Sequence, residues 1–275
     1  MPSLVGSEMC IRDRGRRIRE ATFDQPWKKV CLELGGKNVA LVLDDAHVDQ
    51  TVRELLLGAF LTTGQRCTAT SRLVVTPGIA DELISRLSSK LSSITAGDPF
   101  HASSFMGPLA TAASKTSFTS ALAEVRSQGA EVIARGREPI GDGAYVAPSI
   151  YKVSGDELAL REEFFGPNIC VEIANDESDA FARASRNDYG LSASLFSRRP
   201  EMLEQFYDEV RVGVVNFNRS TNGASGLLPF GGTNKSGNWR PAGSVSPRLA
   251  TYPVAVMQQT FGEMTPHVLL DEGDH

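Results

Sequence analysis

The stretch VCLELGGKNVALVL, residues 30–43, decides the fold. Two apolar segments flank the Gly35-Gly36 pair, so the pattern predicts a strand, a glycine turn and a second strand. The second segment, Val39 to Leu43, is apolar without alternation, which is typical of a strand in a parallel sheet that is covered on both faces. The sequence here therefore predicts the buried sheet of an α/β protein.

The chain that follows alternates predicted helices with predicted strands. Such alternation indicates an α/β fold with a mostly parallel sheet. A last apolar segment, residues 251–257, has no neighbouring strand in sequence, and we expect it to pair with the sheet of another subunit. The predicted strands are 72–75, 131–134, 169–173, 192–196 and 213–218, and the predicted helices are 48–64, 80–93, 112–128, 177–186 and 201–210.

The composition excludes several functional classes. A formal net charge of −5 provides no basic surface for nucleic acid or an anionic membrane. No apolar run reaches the ~18 residues that a membrane helix requires. The four cysteines form no CxxC pair and the four histidines are dispersed, so neither a metal site nor a disulfide framework is expected. These features predict a cytoplasmic protein without a metal ion.

Residues 1–14, MPSLVGSEMCIRDR, show no periodicity that continues into the rest of the chain. They resemble peptides produced when sequencing-adapter DNA is translated within an assembled gene. We therefore expect native sequence to begin near Gly15, and Cys10 is not considered a functional residue. A genuine flexible tail is the alternative.

Two residues have side chains that could carry chemistry. Cys67 lies in a polar loop beside Arg66, a cation that would favour the thiolate. Glu33 lies between two leucines, where burial would raise the pKa of its carboxyl group toward the value of a useful general base. A glutamate that caps backbone amides accounts for Glu33 equally well, and a lone cysteine is weak evidence for catalysis.

The two residues together belong to four motifs that resemble those of the aldehyde dehydrogenase superfamily. They occur in order over residues 15–259, which is nearly all of the native-looking chain. The motifs are LELGGKN at residues 32–38, GQRC at 64–67, EEFFGP at 162–167, and PFGG at 229–232 followed by Ser236-Gly237.

Succinylglutamate semialdehyde dehydrogenase is the subfamily with the most similar motifs. The resemblance rests on GQRCT at residues 64–68, NRSTNGAS at 218–225 and SGNWRP at 236–241. It implies that N-succinylglutamate semialdehyde is oxidised to N-succinylglutamate in arginine catabolism. Thr233-Asn234-Lys235 departs from the subfamily pattern, which has a glycine-containing stretch there.

The resemblance also implies a covalent mechanism. Cys67 would attack the aldehyde carbon as a thiolate, and Glu33 would activate the water that hydrolyses the resulting thioester. The backbone N–H of Cys67 would stabilise the oxyanion, together with an asparagine from a segment upstream of residue 15.

NAD or NADP is the cofactor that the family uses. By resemblance, Glu163 would bind the nicotinamide ribose and Phe165 would pack near the nicotinamide ring, while Leu34 and Gly35 would contact the cofactor. For Phe165 taken alone, an ordinary core position is the simpler interpretation. The residues that discriminate NAD from NADP lie upstream in the family.

The substrate is expected to contact two further segments. Backbone N–H groups of Gly223 and Ala224, with the Ser225 hydroxyl, are candidates for binding its carboxylates. Arg219 is a second candidate anchor, because its forked donors suit a carboxylate, although a solvated surface arginine is an alternative. Phe230 would line the aldehyde tunnel.

The resemblance divides the chain into five parts. A phosphate-binding glycine loop is not found, so we expect the chain alone to bind NAD poorly and to have little dehydrogenase activity. The alternatives are a CoA-acylating or other semialdehyde dehydrogenase, and a truncated fragment without catalysis. The parts are a non-native segment (1–14), a remnant of the cofactor-binding domain (15–36), the catalytic domain (37–245), an oligomerisation strand (246–259) and a tail (260–275).

Overall fold

The computed structural model describes residues 7–137, 139, 142–154, 158–267 and 270. Its strands are short and, in the sheet interior, buried on both faces. They are β1 (Asn38–Val42), β2 (Thr70–Val75), β3 (Glu131–Arg135), β4 (Ser149–Lys152), β5 (Asn168–Ile173), β6 (Tyr189–Gly190), β7 (Ser192–Phe196), β8 (Val214–Phe217), β9 (Pro229–Phe230), β10 (Thr233–Asn234) and β11 (Ala242–Gly243).

Helices precede or connect most of these strands. Short 3-10 turns at Leu61–Gly64 and Ser246–Leu249 complete the helical structure. The α-helices are α1 (Ser7–Ala21), α2 (Val48–Phe60), α3 (Pro77–Leu91), α4 (Ala112–Ser127), α5 (Leu158–Arg161), α6 (Glu177–Ser185) and α7 (Met202–Glu209).

Seven strands form the main sheet in the order β3-β4-β5-β2-β1-β7-β8. Only the edge pair of β3 and β4 is antiparallel, and the other five pairings are parallel. The predicted α/β class with a mostly parallel sheet is therefore confirmed. β1 directly follows the glycine turn and lies between β2 and β7. The residues before β1 therefore lie at the amino-terminal end of an interior strand.

Two apolar layers cover the sheet and account for the uninterrupted apolar run of β1. Ala40 and Val42 face a cluster formed with α2 and α3, whereas Val39 and Leu41 face a cluster formed with α6 and α7. Both faces of β1 thus lie in hydrophobic core, which is why its sequence does not alternate. The glycine after α4, Gly129, adopts φ +102° and ends that helix as predicted.

Two local predictions were wrong, and a third stays untested. Residues 30–34 form no strand of the main sheet, and Glu33 instead makes an isolated antiparallel bridge to Gly237. Residues 251–257 pair with no strand of the single chain's described part and are exposed along their length, so their pairing with another subunit stays a prediction. Helix α1 continues across the boundary placed between residues 14 and 15, where a break in periodicity was expected.

Some predictions fall outside the described residues. Most of the predicted tail beyond residue 267 is not described. Within the described part of the chain, no helix combines the length and the apolar character that crossing a membrane requires.

Candidate active site

The glycine turn before β1 brings the motif residues together. A methyl group added to Gly35 would lie 1.6 Å from Glu163 Oε2, so the Glu163 carboxylate rests directly on the Gly35 backbone. A methyl group on Gly36 would lie 2.6 Å from the carbonyl oxygen of Cys67. The two glycines are therefore required by close packing, and they place Glu163 and Cys67 on the same turn.

The loop that carries Cys67 begins in an unusual backbone conformation. Thr62, Thr63 and Gly64 all have left-handed φ values, of 59°, 58° and 65°. A methyl group on Gly64 would lie 2.3 Å from the carbonyl oxygen of Gly166, so this glycine permits close approach to the EEFFGP motif. A left-handed conformation at two threonines costs free energy, and the surrounding packing must maintain it.

Asn38 holds the other side of the Cys67 loop. Its Nδ2 donates to the carbonyl oxygens of Cys67, at 2.8 Å, and Ala69, at 2.9 Å. Its Oδ1 accepts a hydrogen bond from the backbone N–H of Ser192 at 3.1 Å. This buried side chain links β1, β7 and the cysteine loop, a role that the sequence pattern did not indicate.

The 219–225 loop is attached to the residue after Cys67. The Thr68 hydroxyl donates to Asn222 Oδ1 at 3.0 Å, and the Thr221 hydroxyl donates to the Thr68 carbonyl at 2.6 Å. Asn222 Nδ2 donates in turn to the carbonyl oxygen of Gly58 in α2, at 2.8 Å. The structure thus brings the expected substrate loop beside the expected nucleophile.

The 236–238 loop forms hydrogen bonds with the segment that carries Glu33. The backbone N–H of Leu34 donates to the carbonyl of Ser236 at 2.9 Å, and the backbone N–H of Leu32 donates to Asn238 Oδ1 at 2.7 Å. Gly237 has φ +139°, and a side chain there would strike the Leu32 carbonyl. Hydrogen bonds to a distant loop therefore position Glu33, in place of the predicted strand.

Electrostatics around Cys67 disfavour its ionisation. Burial raises the pKa of the Cys67 thiol, and the carboxylates of Glu163 and Glu33 raise it further. The backbone N–H groups of Cys67 and Thr68 act in the opposite direction by stabilising the thiolate. The structure therefore places the sulfur within the electrostatic influence of both carboxylates.

Arg66 directly precedes Cys67 and is the cation expected to favour its thiolate. Its side chain is exposed, and its Nε donates to Thr62 Oγ1 at 3.2 Å. The largest influences on the pKa of Cys67 are burial, the two glutamates and backbone N–H groups, so an effect of Arg66 on the thiolate stays a prediction.

Glu33 differs from its prediction in exposure. The residue is exposed, whereas the sequence pattern indicated a buried strand end. The neighbouring chain still desolvates its carboxyl group in part, and this raises the pKa of Glu33, the direction expected for a general base.

The other cofactor candidates surround the same turn. Gly35 is buried beneath Glu163, which is itself only 5% exposed. Leu34 lines an open groove of about 1070 Å³ together with Trp27 and Trp239. Phe165 is half-buried, whereas its neighbour Phe164 belongs to the core.

The substrate candidates are mostly exposed. Arg219 lies against Gly223, since a methyl group added there would be 3.0 Å from Arg219 Nη2. The Ser225 hydroxyl accepts a hydrogen bond from the backbone N–H of Leu227 at 3.2 Å, so it stabilises its own turn. Ala224 is exposed, and Phe230 is half-buried in β9, which pairs with β11.

Comparison with known proteins gives the class to which this arrangement belongs. The sequence pattern of the Aldehyde dehydrogenase family matches residues 3–251. The chain therefore belongs to the aldehyde dehydrogenase family.

Three curated relatives have similar identity to the chain. N-succinylglutamate 5-semialdehyde dehydrogenase of Novosphingobium aromaticivorans is 34% identical over 242 residues, which are 88% of this chain and 51% of the relative. Aldehyde dehydrogenase family 7 member B4 of Arabidopsis thaliana is 34% identical over 220 residues, 79% of this chain and 43% of the relative. Succinate-semialdehyde dehydrogenase [NADP(+)] of Deinococcus radiodurans is 35% identical over 244 residues, 88% and 50%. The chain spans about half the length of the curated relatives that it matches.

Solved structures agree with the fold. Betaine aldehyde dehydrogenase from Staphylococcus aureus in complex with NAD+ superposes with a TM-score of 0.78 at 27% identity, covering 82% of this chain and 46% of that one. Glyceraldehyde-3-phosphate dehydrogenase GapN from Methanocaldococcus jannaschii, complexed with NADP, gives a TM-score of 0.75 at 28% identity, covering 82% and 48%. Nicotinamide cofactors are thus bound by structural relatives.

Proposed function

We propose that this chain carries the acyl-transfer centre of an NAD(P)-dependent aldehyde dehydrogenase. The observation that carries the proposal is the convergence of Cys67, Glu33 and Glu163 on the Gly35-Gly36 turn. The sulfur lies within electrostatic influence of both carboxylates. A thiol that is to accept and release an acyl group needs a base near it, and an exposed carboxylate with a raised pKa meets that need.

Cys67 and Glu33 divide the chemistry between them. The Cys67 thiolate adds to the aldehyde carbon, a C–S bond forms, and the carbonyl electron pair moves to oxygen, where the backbone N–H of Cys67 stabilises the negative charge. After oxidation to the thioester, Glu33 removes a proton from water, the hydroxide adds to the acyl carbon, and the C–S bond breaks to release Cys67 as a thiolate. Because Glu33 is exposed, water reaches it freely.

The residues around the turn fit a nicotinamide nucleotide. Glu163 presents a carboxylate to a ribose hydroxyl, Gly35 leaves space for that carboxylate, and Phe165 offers an apolar surface for the ring. When bound, the nicotinamide would accept the hydride. Leu34 would contact the cofactor from the groove on the other side of the turn.

N-succinylglutamate semialdehyde is the proposed substrate. The identity to the Novosphingobium enzyme supports it, and so does the proximity of Arg219 to the 223–225 loop, because a guanidinium group and adjacent backbone N–H groups suit a dicarboxylate. The similar identity of the Deinococcus enzyme makes succinate semialdehyde the competing substrate. We also propose a homo-oligomer, with the exposed segment 251–257 pairing with a partner's sheet.

Two other functions remain alternatives. In a CoA-acylating dehydrogenase, CoA rather than water accepts the acyl group, and the Glu33 carboxylate beside Cys67 favours hydrolysis over this reaction. In a non-catalytic fragment, Cys67 and Glu33 would have no role, although both remain in place.

The test is NAD(P)H formation with N-succinylglutamate semialdehyde and succinate semialdehyde. The chain would be assayed alone and mixed with the amino-terminal half of the Novosphingobium relative. We expect activity only in the mixture, and a higher kcat/KM for the succinylglutamate compound. A mixture that is inactive although the two parts bind each other would contradict the proposed function, and a preference for succinate semialdehyde would contradict the proposed substrate.

A further inference from the structure

Lys37 is a buried cation that the proposed chemistry does not use. The residue has 0% exposure, and its Nζ has no hydrogen-bond partner among the described residues. The Nζ lies 5.3 Å from the centre of the Phe164 ring. Burying an ammonium group is costly unless charge or hydrogen bonds compensate it, so a nearby negative charge is to be expected.

The chain segments 35–37 and 163–164, whose contact places Glu163 against Gly35, also pack around Lys37. Gly35 packs against the Glu163 carboxylate, and two residues later Lys37 packs against Phe164, the next residue after Glu163. The same two chain segments, residues 35–37 and 163–164, thus hold both the cation and the carboxylate. Glu163 is almost fully buried as well, at 5% exposure.

We propose that Lys37 is a positioning residue whose buried positive charge keeps the Glu163 carboxylate ionised and seated on the Gly35 turn. This inference rests on the proposed function, in which Glu163 binds the cofactor ribose beside Cys67. A carboxylate that is removed from water tends to take up a proton unless a cation or hydrogen-bond donors lie near it, and only the ionised form offers both oxygens purely as acceptors to ribose hydroxyls.

The charges around Lys37 support this pairing. The groups that act on it are Glu163, Glu172, Arg72 and Cys170. Glu172 already accepts hydrogen bonds from Arg72 Nε and Nη2, at 3.2 and 2.6 Å, so it has its own counterion. Glu163 is then the carboxylate of the candidate site that acts on Lys37. Burial lowers the pKa of Lys37, whereas Cys170 and the two glutamates raise it.

The alkylation rate of Cys67 reports the charge on Glu163, because an ionised Glu163 raises the pKa of the thiol. Trypsin cleaves after Arg66 and Arg72, so the peptide Cys67–Arg72 carries this thiol alone and mass spectrometry can follow its reaction with iodoacetamide. If Lys37 keeps Glu163 ionised, Lys37→Met should let Glu163 take up a proton. Cys67 should then react about threefold faster at pH 8.

A double-mutant cycle separates this effect from a structural one. Glu163→Gln should accelerate the reaction by the same factor as Lys37→Met, and the double variant should be no faster than either single variant. Lys90→Met, at an exposed lysine, is the matched control and should change nothing. Additive effects, or an unchanged rate in Lys37→Met, would overturn the proposal. The assay needs neither aldehyde nor cofactor, so its failure is distinct from failure of the dehydrogenase activity.

A second measurement avoids any substitution at the buried lysine, in case Lys37→Met does not fold. The 13C shift of Lys37 Cε, followed against pH, gives the titration of its amine in the native protein and in Glu163→Gln. Loss of the carboxylate should move this titration to lower pH. The same titration in both proteins would overturn the proposal.

Discussion

Asn222 accepts a hydrogen bond at 3.0 Å from the hydroxyl of Thr68, and so ties the 219–225 loop to the residue after Cys67. The same amide donates to the carbonyl of Gly58, so one buried side chain connects helix α2, the cysteine loop and the proposed substrate loop. A change at this amide should alter the nucleophile and the substrate loop together.

Replacing Asn222 with Ala should therefore destabilise the protein. The buried Thr68 hydroxyl and Gly58 carbonyl would lose their partner, at a cost of about 1–3 kcal/mol in the free energy of unfolding. Urea denaturation measures the loss, and Ser225→Ala in the exposed part of the same loop should be nearly neutral. Equal effects of the two substitutions would show that Asn222 has no such connecting role.

Gly35→Ala tests the close contact between the Glu163 carboxylate and the Gly35 backbone. The added methyl group would overlap the Glu163 carboxylate, and the resulting displacement should cost about 1–3 kcal/mol of stability. Gly226→Ala is the matched control, because a methyl group there meets no atom within 4 Å and the φ of Gly226 is not left-handed. If Gly35→Ala unfolds at the same urea concentration as the control, Glu163 does not rest on the turn.

The buried pair of Arg72 and Glu172 should matter far more than a surface pair. Arg72 Nη2 donates to Glu172 at 2.6 Å, and both residues are at most 5% exposed. Glu172→Gln leaves the guanidinium without its counterion, and we expect a loss of about 3–5 kcal/mol. Asp49→Asn, which removes the exposed partner of Arg86, should cause no measurable loss. Thermal and urea unfolding of both variants provide the comparison.

The pH profile of Cys67 should respond to Glu33. Because Glu33 raises the pKa of the thiol, Glu33→Gln should lower that pKa and move the alkylation profile of the Cys67–Arg72 peptide to lower pH. The variant should consequently react faster than the native protein at pH 7 to 8, where the thiol form predominates in both. Glu263→Gln, in the exposed terminal segment, serves as the control. A profile that does not move would place Glu33 too far from the sulfur to act on it.

Periodicity in the sequence predicted most of the fold but little of the site's scaffold. The strand 192–196 matches β7 residue for residue, because a short segment of small and apolar residues that alternates with helices is a local signal. The strand β4, only four residues long and preceded by Pro148, was missed. Residues 30–34 misled the prediction because their hydrogen bonds go to residues 236–238, about 200 positions away.

The motifs selected Cys67, Glu33 and Glu163 as candidates because each of these reactive or charged side chains lies within a short, ordered run of characteristic residues. Asn38 and Asn222 were missed as anchors, since an amide in a turn or loop has many possible partners and only the fold selects among them. The burial of Lys37 follows from the approach of Phe164, which no local pattern indicates.

The decisive measurement is the lifetime of a thioester on Cys67. The chain would be acylated with p-nitrophenyl acetate, which requires no cofactor, and the mass of the Cys67–Arg72 peptide would be followed over time in the native protein and in Glu33→Gln. If Glu33 activates the hydrolytic water, the acyl group should appear on Cys67 in both proteins and persist at least about tenfold longer in the variant. An acyl group that never forms on Cys67, or one that decays equally fast in both proteins, would contradict the assignment of this pair.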